Sequence, residues 1–113
     1  MSGERPALAW LQDAKNYAQE ARQIAASARA GTPTSRDCQA IRYCLMVVGE
    51  ALDRVPADIL TSEPLIPWRR VIALRHRLVH GYWLIDEDLV IEIARHETEA
   101  LIAALDRLIE KIK

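Results

Sequence analysis

Pro67-Trp68-Arg69-Arg70-Val71-Ile72-Ala73-Leu74-Arg75-His76-Arg77-Leu78-Val79-His80-Gly81-Tyr82 reads as one complete helix with its stop signal attached. Proline is tolerated in a first helical turn, where the missing N–H would have had no partner. Val71, Leu74 and Leu78 recur at spacings of three and four and form the side to be buried, with Val79 next to them. Gly81 ends the run. Around the apolar side stand Arg69, Arg70, Arg75, Arg77, His76 and His80, with no acid between Trp68 and Tyr82. Such a helix needs neighbours to cover its apolar stripe, and the flanking sequence supplies them.

Upstream, the spacing predicts a first helix from about Pro6 to Ala30, with Leu8, Leu11, Ala14, Ala18, Ala21, Ile24 and Ala28 on one face. Most of these are small, so another helix can approach closely. Gly31 is placed to end it, and Thr32-Pro33-Thr34-Ser35 makes a turn that caps the next element. A second helix is expected from about Ser35 to Arg54. Its stripe is Ile41, Leu45, Val48, Leu52 and Val55, widened by Cys44, Val47 and Ala51. Pro56 stops it. Residues 56–67 carry three prolines and read as a loop with one short helical turn near Ala57 to Leu60.

Downstream, Tyr82 to Ile85 is a short irregular piece. Asp86 is a good N-cap, with Glu87 and Asp88 in the first turn behind it. A last helix then runs to about Ile112, with Leu101, Leu105, Leu108 and Ile112 on one face and Ile93, Ile102 and Ile109 widening it. The expected architecture is all-α: a bundle of four main helices plus short helical turns, one domain over 1–113. The two longest helices carry apolar surface on more than one side, which points to a homodimer.

Bulk properties bound the function. At 113 residues with 50% hydrophobic content, the chain can bury roughly 65% of its unfolded surface, enough for a core without staples. The net charge of −1 excludes a globally basic nucleic-acid binder. A polyanion would meet the local arginine patch instead, and Asp86-Glu87-Asp88 follows it as an acidic counterpoint. Cys38 and Cys44 are the two cysteines, six residues apart on one helix, and are expected to be buried structural thiols in a reducing compartment. No apolar run reaches the ~18 residues of a membrane span, so a cytoplasmic protein without membrane contact is expected.

The chemistry centres on Arg75 and His80. Guanidinium holds phosphate, and imidazole moves protons near neutrality. Cleaving RNA by transesterification needs exactly these abilities: a base for the 2′-hydroxyl, an acid for the leaving 5′-oxygen, and positive charge on the phosphorane. Five residues of ideal helix, however, turn the two side chains ~140° apart. Relaxed geometry beside Gly81, the long reach of arginine, or a second copy of both residues across a two-fold axis would each reconcile them. His76 and His80 also stand four apart, but Arg77 follows His76 where a zincin motif has glutamate, and flanking arginines repel a cation, so no metal is expected. His96 reads as a solvated or packing residue and Trp68 as a core anchor. Tyr82 is either an aromatic lid on the bundle end or a hydroxyl beside the phosphate. Glu50 is either a half-exposed helix position or an ion-pair partner that orients an arginine.

The combined pattern resembles the HEPN superfamily, and more narrowly the HepT toxins that pair with MNT-type minimal nucleotidyltransferase antitoxins. The signature is arginine, a polar residue, three more, then histidine, and a tyrosine two places on: Arg75, His76, Arg77-Leu78-Val79, His80 and Tyr82. Val47-Val48-Gly49-Glu50-Ala51-Leu52 is similar to the family's Gly-Glu-Ala helix, and Ile66-Pro67-Trp68-Arg69 to its entry into the motif helix. His76 departs from the family's frequent asparagine. The resemblance implies a HEPN-type helical bundle and a metal-independent endoribonuclease toxin needing no cofactor. It implies a site at a homodimer interface with Arg75 and His80 catalytic; beside them, His76, Arg77, Arg70 and Glu50 are expected to support the site or bind RNA. It implies AMPylation of Tyr82 by a cognate nucleotidyltransferase as the means of neutralisation. The RNA is open between transfer and messenger RNA. Alternatives that remain are a non-catalytic RNA- or partner-binding dimer and an assembly partner of a nucleotidyltransferase.

Overall fold

A computed structural model describes residues 5–27 and 33–113. Helix α1 is Ala7–Ser27, α2 Ser35–Asp53, α3 Ala57–Leu60 and α4 Trp68–His80; α5 (Glu87–Glu92) and α6 (Thr98–Ile112) are joined through a wide turn, Ile93–Glu97. Among the described residues there is no strand. The expectations for Ala28, Gly31 and Thr32, and for the last turn of the first helix as far as Ala30, lie outside the described residues. The second helix starts at Ser35, directly after its cap Thr34. Thr34 Oγ1 accepts from Asp37 N–H at 3.1 Å, and Asp37 Oδ2 accepts from Thr34 N–H at 2.8 Å. This reciprocal box satisfies two donors a helix start would otherwise leave open.

Helix α1 lays Ala14, Ala18, Ala21 and Ala25 against α2 and the α5–α6 arm. With side chains this small, the helices pack close and the core needs few aromatics. One cluster gathers Leu11, Val48, Leu52, Trp68, Leu105 and Leu108; a second gathers Ile41, Cys44, Leu45, Leu78, Val90 and Ala94. A buried leucine of this kind stabilises the fold by roughly 1.5–3 kcal/mol. Trp68 is buried as expected, and its indole Nε1–H donates to the Glu63 carbonyl at 3.0 Å.

Helix α4 rests on α2 and commits less to the core. Only Trp68 and Leu78 are buried; Val71 and Leu74 are half-buried. Val79 is 36% exposed, against the expectation that it joins the buried side. One residue past Leu78 is ~100° of turn, which carries it off the α2 contact. Gly81 ends α4 without a left-handed conformation: its N–H donates to the Arg77 carbonyl at 2.9 Å and the chain enters a three-ten turn, Tyr82–Leu84.

The last helix differs from the uninterrupted run the spacing predicts. At Ile93–Glu97 the helix widens to a π turn, which displaces carbonyls from their usual donors. Two side chains take them up. Thr98 Oγ1 donates to the Ala94 carbonyl at 2.7 Å, and Arg22 Nη1 of α1 donates to the Arg95 carbonyl at 3.1 Å. Neither donor is part of the apolar periodicity, so the widening left no trace in it.

Candidate functional site

The C-terminal half of α4 carries the motif, and α2 fixes half of it. At the crossing of the two helices, a Cβ added to Gly49 would collide with Arg75 Cβ and come within 3.4 Å of Arg75 Cα. Glycine at this position lets α4 sit directly on α2. That proximity sets Glu50, the next residue, beside the guanidinium: Arg75 Nε lies 3.1 Å from Glu50 Oε1. The second carboxylate oxygen, Oε2, accepts from Arg54 Nη2 at 3.0 Å. The buried Arg75 Nε–H has no aligned hydrogen-bond acceptor, so the 3.1 Å approach is a charge contact and not a directed bond. Both side chains are a little over a third exposed, so the pair is worth little in stability. Its value is positional: a carboxylate anchors one edge of the arginine from behind.

Helix α4 stays regular through His80, so local relaxation at Gly81 does not swing His80 toward Arg75. Arg75 faces α2, whereas His76 and His80 are exposed on the outer side. The two imidazoles adjoin, with ring centroids 4.6 Å apart and planes inclined by 42°. Spacing i, i+4 puts them one turn apart on the same face. Arg70 and Arg77 face elsewhere. Two turns apart, they edge an apolar groove of about 510 Å³ between α4 and the α5–α6 arm, floored by Leu45 and Val48 and walled by Leu74 and Leu89.

Tyr82 is 62% exposed and meets Trp83 edge to face, centroids 5.4 Å apart. It is not a lid on the core. Trp83 and Leu84 are more exposed still, at 68% and 77%. With Val79 and Leu89, they make the end of α4 an apolar surface beside a basic one. Within one chain the predicted site residues thus fall into three groups: Glu50 with Arg75, His76 with His80, and Arg70 with Arg77, with Tyr82 next to the second. Gly49 belongs with the first group; in the sequence it stands out as a glycine inside an apolar helix, which has a packing reason, and as the start of the Gly-Glu-Ala run.

His96 is exposed, 3.4 Å from Glu92 one turn back, well away from the motif in sequence and on another helix. Among the described residues no group of three or more His, Cys, Asp or Glu is arranged to hold a metal ion. Cys38 and Cys44 are free and buried. Burial pushes both thiols up, Cys38 further through the Glu87 carboxylate and Cys44 through Glu20. None of the described helices is long and apolar enough to cross a membrane.

Residues 14–108 match the family model described as "Ribonuclease HepT-like". Two proteins of Methanocaldococcus jannaschii, each called "Putative RNase", are 33% and 32% identical to this chain over 79 residues, 66% of it. Those alignments take in 65% and 68% of the relatives' lengths. The "Probable ribonuclease HepT" of Thermococcus cleftensis is 28% identical over 69 residues, 61% of this chain and 63% of that one. No solved structure matches the chain.

Proposed function

The chain belongs to the ribonuclease HepT-like family, and from that premise we propose that it is a metal-independent endoribonuclease acting as the toxin of a HEPN/MNT toxin–antitoxin pair. The observation that carries the reading is the Arg75–Glu50 contact on a helix that presents His80 outward one turn later. Arg75 binds the scissile phosphate and stabilises the charge of the phosphorane; His80 moves a proton. Arginine and imidazole suffice for this chemistry, and no metal or organic cofactor enters it.

A homodimer completes the site. The ~140° between Arg75 and His80 stands in a helix that is regular through both. A two-fold axis near the end of α4 brings Arg75 of one copy and His80 of the other to one cleft. The exposed Tyr82, Trp83 and Leu84 favour it, since a monomer seldom leaves large side chains clustered in water. Arg70, Arg77 and His76 extend the cationic surface for the RNA backbone.

Tyr82 is the point of neutralisation. Its exposed hydroxyl is free to attack the α-phosphorus of ATP in a cognate nucleotidyltransferase, forming a Tyr–AMP bond and releasing pyrophosphate. The added phosphate then competes with RNA for the arginines. Wild-type protein should cleave RNA in excess EDTA, and Arg75→Ala and His80→Ala should each lose the activity while remaining folded. Salt-sensitive RNA binding with no product would instead identify a binding module. Mass spectrometry after incubation with the nucleotidyltransferase and ATP tests for AMP on Tyr82.

A further inference from the structure

One imidazole cannot at the same moment be the base that accepts the 2′-hydroxyl proton and the acid that protonates the 5′-oxygen. We propose that His76 is the second proton-transfer group of the active site, so that the His76–His80 pair of one chain supplies both the acid and the base; the inference rests on the ribonuclease reading above.

The geometry is specific to these two residues. Their rings are 4.6 Å apart between centroids and tilted by 42°, not stacked flat. In the reacting phosphodiester the 2′ and 5′ oxygens lie on opposite sides of one phosphorus, a few ångströms apart, a span that two adjacent rings with differently inclined planes can serve. Both side chains are exposed. Among the described residues neither side chain takes part in a hydrogen bond or ion pair. His96, the third histidine, is paired with Glu92 on another helix. Charged side chains on the pair's own helix are Arg69, Arg70, Arg75 and Arg77, with no acid among them; on α2, which packs against it, Glu50 and Arg54 stand on the Arg75 side, and Asp86 follows beyond the Tyr82 turn. Arg75 and Arg77 flank His76 in sequence; their side chains face α2 and the groove respectively, and they add positive charge to this end of α4.

The step balances within the pair. The neutral imidazole takes the 2′-hydroxyl proton as that oxygen bonds to phosphorus. The protonated imidazole gives its proton to the 5′-oxygen as the P–O5′ bond breaks. A 2′,3′-cyclic phosphate and a 5′-hydroxyl result, and one proton has moved from one ring to the other. Water and the reverse proton movement reset the pair.

The test is the pH dependence of kcat/KM for wild type, His76→Asn and His76→Gln on an RNA oligonucleotide in EDTA, with the same oligonucleotide carrying a bridging 5′-sulfur at the cleavage site. Wild type should give a bell-shaped profile. Both variants should fall about 10²- to 10⁴-fold and lose one limb of the bell. The 5′-thio substrate leaves without a proton, so it rescues whichever of the His76 and His80 variants has lost the acid. Variants that keep both limbs, at any rate, would overturn the inference while leaving the ribonuclease reading intact; the second histidine of the reaction would then be His80 of the other copy. Failure of wild type to cleave would overturn both.

Discussion

At the scale of single residues, the site depends on what stands behind the arginine. Glu50 touches Arg75 with one oxygen and Arg54 with the other, so it holds Arg75 in place by charge without neutralising either arginine fully. Glu50→Gln should change stability by less than ~1 kcal/mol, because the pair is partly exposed. It should nonetheless slow RNA cleavage by about 10- to 100-fold, since a misplacement of ~1 Å near the chemistry costs that order of rate. Thermal melts and single-turnover cleavage of the same preparation separate the two effects. Arg75→Lys should fail nearly as badly as Arg75→Ala, because an ammonium does not offer the planar fork. The cysteines stand at the other extreme. Burial pushes both thiols up, so native protein at pH 7 should react with a thiol reagent far more slowly than the same protein in denaturant.

At the scale of elements, the crossing of α2 and α4 decides whether the site exists. Gly49 is in the middle of a helix, where alanine would ordinarily gain about 1 kcal/mol from propensity. Here the added methyl meets Arg75 Cβ, and α4 would have to lift. Gly49→Ala should therefore destabilise by roughly 1–3 kcal/mol, as overpacked contacts do, and should reduce cleavage further by displacing Arg75. An unchanged melting temperature would show that the crossing is looser than described. The wide turn between α5 and α6 makes a second demand. Thr98→Val keeps the volume but strips the Ala94 carbonyl of its donor, which should cost about 1–3 kcal/mol by chemical denaturation.

The elements also show what the amino-acid order reveals and what it hides. The stripe Ile41, Leu45, Val48, Leu52 is buried as its spacing predicts, and Pro67 and Gly81 bracket α4 to within a residue. The wide turn leaves no mark in the sequence, because Val90, Ala94 and Leu101 keep helical spacing across it and its side-chain hydrogen bonds come from Thr98 and from a distant arginine. Val79, at the margin of the expected stripe, is exposed because α4 packs mainly on α2 and turns this residue off that contact. For the site, the motif residues were legible from their types. Their grouping was not: the contact of Glu50 with Arg75 depends on a glycine one residue earlier, and the His76–His80 adjacency competes with a metal reading in the sequence.

At the scale of the whole molecule, the loop in the middle of the chain is tied to its last helix by charge. Glu63, in the loop after α3, accepts from Arg107 at 2.7 Å and from Lys111 at 3.3 Å on α6. The hydrogen bond from Arg107 leads in holding its carboxyl below the usual carboxylate range, with Lys111 adding to it. A depressed carboxylate contributes its stability above its unfolded-state pKa and loses it as pH falls through the folded one. The melting temperature of wild type should thus decline on acidification through the carboxylate range more steeply than that of Glu63→Gln, and the two curves should converge at the acid end.

Assembly belongs to the same scale. Arg75→Ala and His80→Ala chains, each inactive alone, should recover part of the activity when mixed and allowed to exchange subunits, because a mixed dimer retains one Arg75 and one His80 for a shared cleft. No recovery, with exchange demonstrated, would place the whole site within one chain.

The most direct measurement is cleavage of a 5′-labelled RNA by purified wild-type protein in excess EDTA, beside Arg75→Ala and His80→Ala. Wild type should give discrete fragments ending in 2′,3′-cyclic phosphate, and neither variant should give any. Intact RNA with folded wild-type protein, or equal cleavage by the two variants, would contradict the ribonuclease reading.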